Sequence, residues 1–219
     1  VLHDGYGPGV YCNGCTAPLV TGNTIYNGQR ASAGVSADGV AILACTSSDG
    51  TFANGCRIQN NTIHDMHVDG IKICGQWFTV SGNNVYNNID TDHASVHPDG
   101  IQFLKSTCGG FTNVQRYRLY NNIFRNHTQN IFIECTAANP CTDGLIYNNL
   151  VYNDAGTING VAMDTVQSHG LIVTGGDGCG STVLAYGNTF GRHLNRAVGW
   201  SGCTDGTGEF KNNIIKNDL

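Results

Sequence analysis

Three histidines recur at equal intervals and are candidates for acid–base chemistry. His67, His97 and His127 lie 30 residues apart, and the first two stand two residues before Asp69 and Asp99. A column of imidazoles could donate or accept protons, or bind a transition metal. The spacing also suits a structural ladder in which each histidine caps a turn by hydrogen bonding, because the column spans more repeats than one active site needs.

A lysine and two acidic residues add further candidate chemistry. Lys72 could be the base that removes the proton next to the carboxylate of a uronic acid, or it could be a solvated surface lysine. Glu134 and Asp164 could form the carboxylate pair of a glycosidase, or bind calcium through their oxygen atoms. In the simpler alternative both carboxylates face solvent where loops begin.

These residues belong to a repeat of about 30 residues. Its clearest copies read HVDGIKI at 67–73 and HPDGIQF at 97–103, and weaker copies begin at 36, 127, 157 and 193. The third positions of the copies are separated by 31, 30, 30, 30 and 36 residues and are Asp38, Asp69, Asp99, Gln129, Asn159 and Asn195. A period of this length predicts a repeat architecture.

A second motif alternates with the first and has the form strand, Asn or Gly-Asn bend, strand. Its copies are VTGNTI at 20–25, IQNNTI at 58–63, VSGNNV at 80–85, LYNNIF at 119–124, IYNNLV at 146–151, LAYGNTF at 184–190 and FKNNII at 210–215. Asn and Gly tolerate the left-handed backbone angles of such a bend, and stacked asparagines can form a hydrogen-bonded ladder. Together the two motifs predict a coil of three short strands.

Side chains alternate across a strand, which predicts which residues face outward. If Ile71 and Ile73 point into the coil, Lys72 points out. With neighbouring coils about 4.8 Å apart, Lys72, Gln102 and Phe132 should form one outward column, and Glu134 should lie beside Asp164. Phe132 could then be a platform for stacking a sugar ring, or be covered by a loop.

The paired Asn-Asn-x-Ile and Asp-Gly-Ile-x-Ile motifs resemble those of the pectate-lyase-like superfamily, over about residues 20–217. The resemblance implies an all-β fold, a single right-handed parallel β-helix of about six to seven coils spanning 1–219. It further implies a substrate groove along the Asp-Gly-Ile-x-Ile sheet, walled by loops, and calcium as a cofactor. The signatures of polygalacturonases and of alginate C5-epimerases are not matched, so a lyase is favoured over a glycoside hydrolase or an epimerase.

Composition limits the class of protein and its partners. The 219 residues include 40% hydrophobic and 12% charged residues, 30 Gly and 10 Cys, which suits short strands joined by turns. The even cysteine number predicts disulfides that close loops, with Cys12–Cys15, Cys45–Cys56, Cys74–Cys108, Cys135–Cys141 and Cys179–Cys203 as possible pairs, and hence a secreted protein. A net charge of −5 without a basic run argues against nucleic acid, and no stretch is apolar enough to cross a membrane.

Two hypotheses for the function follow. In the first, a secreted lyase-like protein binds a polysaccharide in the groove. Its catalytic residues would be Lys72, His97 and Asp99, its substrate-binding residues His67, Gln102, His127 and Phe132, and its calcium ligands Glu134 and Asp164. In the second, the chain is a non-catalytic structural or adhesive β-helix that self-associates end to end into fibres through unpaired strand edges. The repeat-like start at Val1 predicts a leader or cap upstream of this chain.

Overall fold

Three short strands form each coil, and the coils stack into a parallel β-helix, as the sequence predicted. The computed structural model describes residues 1–29, 37–89, 97–104, 108, 114–136, 140–154, 156–158, 160–163, 168–175, 182–192, 195–201 and 207–216. Within these residues seven coils are followed by the first strand of an eighth. The predicted fold class is therefore confirmed.

The strands are short and follow the two sequence motifs. Coils one to four contain β1 (Leu2–His3), β2 (Val10–Asn13) and β3 (Leu19–Thr21); β4 (Thr24–Tyr26), β5 (Val40–Cys45) and β6 (Cys56–Gln59); β7 (Thr62–His64) and β8 (Ile71–Ser81); β9 (Asn84–Tyr86), β10 (Asp99–Phe103) and β11 (Val114–Tyr120). Coils five to eight contain β12 (Ile123–Arg125), β13 (Gln129–Cys135) and β14 (Thr142–Tyr147); β15 (Leu150–Tyr152), β16 (Thr157–Ile158), β17 (Val161–Ala162), β18 (His169–Gly175) and β19 (Thr182–Tyr186); β20 (Thr189–Gly191), β21 (Arg196–Ser201) and β22 (Thr207–Lys211); and β23 (Ile214–Lys216).

The strands form three faces of the helix. The strand after each Asn bend joins an eight-stranded sheet in the order β1-β4-β7-β9-β12-β15-β20-β23, here called the post-bend sheet. The other two faces share one 13-stranded sheet because β8 runs continuously around the corner between them. The Asp-Gly face comprises β2, β5, the first half of β8, β10, β13, β18 and β21; the pre-bend face comprises β3, β6, the second half of β8, β11, β14, β19 and β22. The described residues include no helix long and apolar enough to span a membrane.

Aliphatic side chains fill the interior in layers that follow the strand register. Ile71, Ile101, Ile131 and Leu171 are paired in consecutive coils, and all four are fully buried. Burial of each such side chain contributes roughly 1.5–3 kcal/mol, so the repeated Ile positions stabilise one fixed register of coil on coil. The period-two alternation read from the sequence is therefore the one that the strands adopt.

The predicted asparagine ladder is present at the bend before the post-bend sheet. Asn122 shows its pattern: Nδ2 donates to the carbonyl oxygens of Val80 and Tyr120 and to Oδ1 of Asn149, and Oδ1 accepts from the backbone N–H and Nδ2 of Asn83. The residue before each ladder asparagine is Asn or Gly with positive φ. The ladder consists of Asn23, Asn61, Asn83, Asn122, Asn149, Asn188 and Asn213.

Disulfides close several loops, also as predicted. The bonded pairs are Cys12–Cys15, Cys45–Cys56, Cys74–Cys108 and Cys135–Cys141. The fifth predicted pair, Cys179 with Cys203, lies outside the described residues. Two of these bonds, Cys45–Cys56 and Cys135–Cys141, join the end of a strand on the Asp-Gly face to the segment that follows it. Cys74–Cys108 instead joins β8 to the segment after β10 in the next coil.

The later copies of the repeat were assigned wrongly. The segment beginning at 157 is not a rung of the helix, because β16 and β17 pair with each other in an antiparallel hairpin. The rung of that coil is β18, in which His169 pairs with Gln129 on one side and with Arg196 on the other. The third position of the final repeat copy is therefore Arg196 and not Asn195. An insertion in the sixth coil breaks the 30-residue interval.

Candidate functional site

The predicted outward column exists on the Asp-Gly face. Gln102 pairs with Lys72 on one side and with Phe132 on the other, as the alternation required. In the neighbouring column, Asp164 was predicted to lie beside Glu134, but the residue paired with Glu134 in the next coil is Thr174. Asp164 itself lies outside the described residues.

Lys72 is held between two buried aspartates from successive repeats. Its Nζ lies 2.9 Å from Oδ1 of Asp38 and 2.9 Å from Oδ2 of Asp69. The two carboxylates are almost fully buried, and only 15% of the lysine side chain is exposed. The aspartates also accept from the backbone: Asp69 N donates to Asp38 Oδ1, and Asp99 N donates to Asp69 Oδ1 at 3.0 Å. The stacked aspartates thus share one cation and a chain of backbone donors.

The electrostatics of this network argue against Lys72 as the base. Burial alone would lower the pKa of Lys72, but the adjacent Asp69 and Asp38 carboxylates outweigh it and raise that pKa above its ordinary range. A base must be free to lose its proton near neutral pH. Lys72 is instead the counter-ion of the aspartates, and its predicted catalytic role is not supported.

Asp99 differs from the other two aspartates because, among the residues that the structure describes, no lysine forms an ion pair with it. It is fully buried, and burial raises its pKa well above the ordinary value, with the nearby charge of Asp69 acting in the same direction. Its Oδ1 lies 3.4 Å from Nδ1 of His97, and its buried Oδ2 has no hydrogen-bond partner among the described residues. His97 is 47% exposed at its side chain. The pair places an accessible imidazole against a buried carboxyl group.

The three histidines do not form the predicted column at the mouth of a groove. His127 is fully buried, its Nε2 lies 3.1 Å from the carbonyl oxygen of Val85, and burial lowers its pKa to about 4. His67 is partly buried, and its backbone N–H donates to the carbonyl oxygen of Gly28. The structural alternative is therefore correct for His127, and His97 is the most exposed of the three histidines.

Two other predicted binding residues, Gln102 and Phe132, pair with each other on neighbouring strands, and Phe132 contacts the ring of His97. Phe132 is only 5% exposed, and its ring packs edge-on against the His97 ring with centroids 5.3 Å apart. The predicted sugar-stacking platform at Phe132 is therefore wrong, because its ring face is covered. Gln102 and Glu134 are partly exposed, with Gln102 Nε2 3.5 Å from Glu134 Oε2. They leave a polar strip beside the imidazole.

The described residues do not fit the predicted calcium site. Calcium takes six to eight oxygen ligands, and Glu134 is paired with Thr174 where a second carboxylate was expected. The stacked aspartates already have a cation, the ammonium group of Lys72. In the part of the chain that the structure describes, no group of three or more His, Cys, Asp or Glu side chains is arranged to hold a metal ion.

Sequence reasoning missed two ion pairs, those of Lys72 with Asp38 and with Asp69. The sequence carried a signal for them. Both aspartates occupy the third position of a repeat, and the sole clear copy with a lysine at its sixth position follows the copy of Asp38. In stacked coils this spacing brings one cation beside two stacked carboxylates, which need a compensating charge when buried.

Comparison with known proteins adds one structural similarity. No protein-family model and no curated protein matches this chain. Among solved structures, the chain is similar to the Dettilon tailspike protein (gp208), with a TM-score of 0.46 and 14% sequence identity over 91% of this chain. The chain spans 38% of the length of that protein. Membership of the pectate-lyase-like superfamily stays a prediction, and the function is argued from the residues of this chain alone.

Proposed function

We propose that this chain is a secreted polysaccharide-binding β-helix with a lyase-like acid–base centre at His97 on the Asp-Gly face. The observation that carries the proposal is the accessible imidazole of His97 against the buried carboxyl group of Asp99. The disulfide-closed loops support secretion, because such bonds persist in oxidising compartments.

In this proposal His97 is the base and Asp99 is a positioning residue. A lyase removes the proton next to a uronic-acid carboxylate, which requires a base that reaches the substrate. A C=C bond then forms as the glycosidic C–O bond breaks, and the leaving oxygen takes a proton from solvent. His97 is exposed enough to do so, whereas Asp99 is fully buried and acts by orienting the imidazole through Nδ1. Gln102 and Glu134, beside His97, would hydrogen-bond sugar hydroxyl groups.

Glycoside hydrolysis fits the same residues less well. A hydrolase needs two carboxyl groups that both reach the scissile bond. Glu134 is partly exposed and its charge contributes to the raised pKa of Asp99, but the buried Asp99 carboxyl cannot contact a sugar. Proton abstraction by His97 therefore remains the preferred reaction, and end-to-end self-association stays a separate prediction.

The test is a panel of uronic-acid polysaccharides assayed for unsaturated products by ultraviolet absorbance. His97→Ala should reduce elimination by a factor of roughly 10² or more, as for loss of a general base. His64→Ala is the matched control, since the Nδ1 atom of His64 also contacts an aspartate, Asp65, but on the post-bend sheet, and it should change the rate less than about twofold. Asp99→Asn should alter the pH profile of the rate while leaving KM close to wild type.

Two results would overturn this proposal. One is a wild-type protein that releases no unsaturated sugar from any member of the panel, with and without added calcium. The other is a His97→Ala variant as active as the His64→Ala control. Reducing ends without unsaturated products would identify hydrolysis instead.

A further inference from the structure

A second candidate site lies at the corner between the Asp-Gly and pre-bend faces. Trp77, Arg116 and Asp143 occupy the same corner position in three successive coils, because the residues on both sides of them pair in register. All three have positive φ, at 64°, 53° and 55°. At about 4.8 Å per coil, their side chains leave the helix side by side.

The residue types at this corner are unusual for their backbone conformation. Left-handed angles favour Gly and Asn, and bulky residues there are outliers that cost of order 1 kcal/mol or more. The ladder bend of the same helix follows that preference, since Asn or Gly stands before each ladder asparagine. Tryptophan and arginine at the corner therefore go against local backbone preference, which is a pattern that clusters at functional sites.

The corner side chains form an ordered set of contacts. The Arg116 guanidinium carbon lies 5.0 Å from the centre of the Trp77 ring, and Nη1 donates to Gln76 Oε1 at 3.3 Å. Nε of Arg116 is 3.9 Å from Oδ2 of Asp143, and both side chains remain substantially exposed. The arginine is thus held in place by the ring and the amide while its charge stays accessible.

A loop closed by Cys45–Cys56 adds a second aromatic ring. The loop is folded around Asp49, which accepts from the Thr51 hydroxyl and from Nδ2 of Asn54 at 2.8 Å. These hydrogen bonds lower the pKa of Asp49 to about 2, and the bond from Asn54 has the largest effect. The loop places the Phe52 ring edge-on to Trp77, with centroids 5.1 Å apart. The disulfide and these hydrogen bonds therefore hold the loop that positions Phe52.

Together these residues line an open cleft of about 460 Å³ on the pre-bend face. This volume lies within the range of small-molecule sites. Its lining combines apolar and charged groups and includes Phe52, Trp77, Leu145, Leu184, Arg116 and Asp143. Two rings above an aliphatic floor suit the C–H face of a sugar, and the charged rim suits its polar substituents.

Two further arginines lie beside the cleft without lining it, and Arg118 borders it through its contact with Phe52. Arg57 and Arg118 both pair with Thr79, from the coils on either side, and so lie about 10 Å apart. The Arg118 guanidinium lies over Phe52 at 3.9 Å, and the buried Nε of Arg57 has no hydrogen-bond partner among the described residues. Neither arginine makes an ion pair within the described ranges. These two cations and Arg116 stand out in a chain of net charge −5 with 11 basic residues.

We infer that this corner cleft binds an anionic sugar unit of a polysaccharide, with the ring against Trp77 and Phe52 and its carboxylate or sulfate at Arg118 and Arg57. Arginine is suited to both anions because its planar fork matches their oxygens. The site lies on a different face from His97 and requires no reaction there. It would hold a polysaccharide independently of any elimination.

The test uses Trp77 as its own reporter. The chain has two tryptophans, so Trp200→Phe leaves Trp77 as the one source of tryptophan fluorescence. Polygalacturonate and a sulfated dextran should each change this fluorescence saturably, and one of them should bind more tightly and so identify the anion. Methyl-esterified polygalacturonate and unmodified dextran, which lack the charge, should bind at least tenfold more weakly.

Matched variants separate the site from general charge effects. Arg118→Gln in the Trp200→Phe background should weaken binding at least tenfold, and Arg57→Gln provides a second variant if the first fails to fold. Arg125→Gln is the control, because Arg125 also lies over an aromatic ring, Tyr86 at 4.5 Å, but on the post-bend sheet. It should bind within twofold of wild type.

Several outcomes would refute the inference. The inference fails if neither anionic polysaccharide binds saturably, or if the charged and uncharged polysaccharides bind with equal affinity. It also fails if Arg125→Gln weakens binding as much as Arg118→Gln does. Tighter binding of a single-stranded oligonucleotide than of either glycan would assign the cleft to nucleic acid instead. Because Trp77 reports on the cleft alone, inactivity at His97 would leave this titration unaffected, so the two proposals fail separately.

Discussion

Replacing Lys72 by methionine tests whether it is a counter-ion or a base. The variant keeps the aliphatic stem but removes the charge that lies 2.9 Å from both Asp38 and Asp69. Removing one partner of a buried ion pair typically costs about 3–5 kcal/mol, because the other charge stays buried without compensation. We expect a loss of this size in the free energy of unfolding at pH 8, measured by urea denaturation.

The loss should depend on pH with a defined sign. Burial raises the pKa of Asp69 to about 6 even though Lys72 opposes the shift, so without the lysine that pKa must be higher still. A carboxyl group whose pKa is raised on folding binds more protons in the folded state, so stability falls as pH rises from about 4 through the folded pKa. The cost of Lys72→Met should therefore be small near pH 4 and full at pH 8.

Two control variants make the Lys72 result interpretable. Lys211→Met removes an exposed lysine paired with Glu209 and should cost less than about 1 kcal/mol. Asp69→Asn combined with Lys72→Met should recover much of the loss at pH 8, because one orphaned charge is gone. A loss below 1 kcal/mol at pH 8, or an equal loss at pH 4 and pH 8, would refute the counter-ion assignment. A stable Lys72→Met variant that lacks elimination activity would restore the role of base.

Two further predictions concern stability. Asn122→Ala should cost about 3 kcal/mol or more in urea denaturation because it orphans several buried donors and acceptors. Asn148→Gly is the control, since it removes an exposed amide hydrogen bond but keeps a residue that tolerates the positive φ at this position, and it should cost less than about 1 kcal/mol. Equal costs would contradict the ladder. Burial lowers the pKa of His127 to about 4, so the folded state binds fewer protons than the unfolded chain and up to about 3 kcal/mol should be lost as pH falls from 6.5 to 4. His127→Asn should reduce the loss of stability between pH 6.5 and pH 4. An unchanged loss would show that another group causes it.

The fold could be predicted because it depends on patterns that are local in sequence. The Asn bend needs a residue that tolerates positive φ, and such a residue precedes each ladder asparagine. The Asp-Gly strands bury alternating apolar residues, as Ile101 and Phe103 do opposite Ile131 and Ile133, so both patterns recur along the sequence. Four disulfides joined cysteines that flank one loop or adjacent coils, which the spacing also indicated. The prediction for 157–163 was wrong because an inserted hairpin lengthens the sixth coil, so the fixed interval does not hold there.

The site was predicted less well because its chemistry depends on burial. Alternation correctly placed Lys72, Gln102 and Phe132 in one column, but it could not tell that the ring of Phe132 would be covered by His97. Equal spacing likewise placed His97 and His127 in one column at the mouth of the groove, although His97 is exposed and His127 lies fully inside the helix. The sequence period determines where a side chain lies along the helix. Whether that side chain is exposed depends on the loops around it, which do not follow the period.

Alternation also failed to predict the ion pair of Lys72 with Asp69, for a reason that applies to every coil. The rule that successive side chains point to opposite faces holds within a strand. Asp69 precedes β8, which begins at Ile71, so its direction is set by the turn and not by the strand. Three residues of sequence thus bring a buried carboxylate and an outward lysine to 2.9 Å. The same limitation hid the corner of Trp77, Arg116 and Asp143, where positive φ ends the alternation inside or next to a strand. The chemical groups of this helix therefore gather at its corners, where the periodic signal that identifies the fold carries no information about side-chain direction.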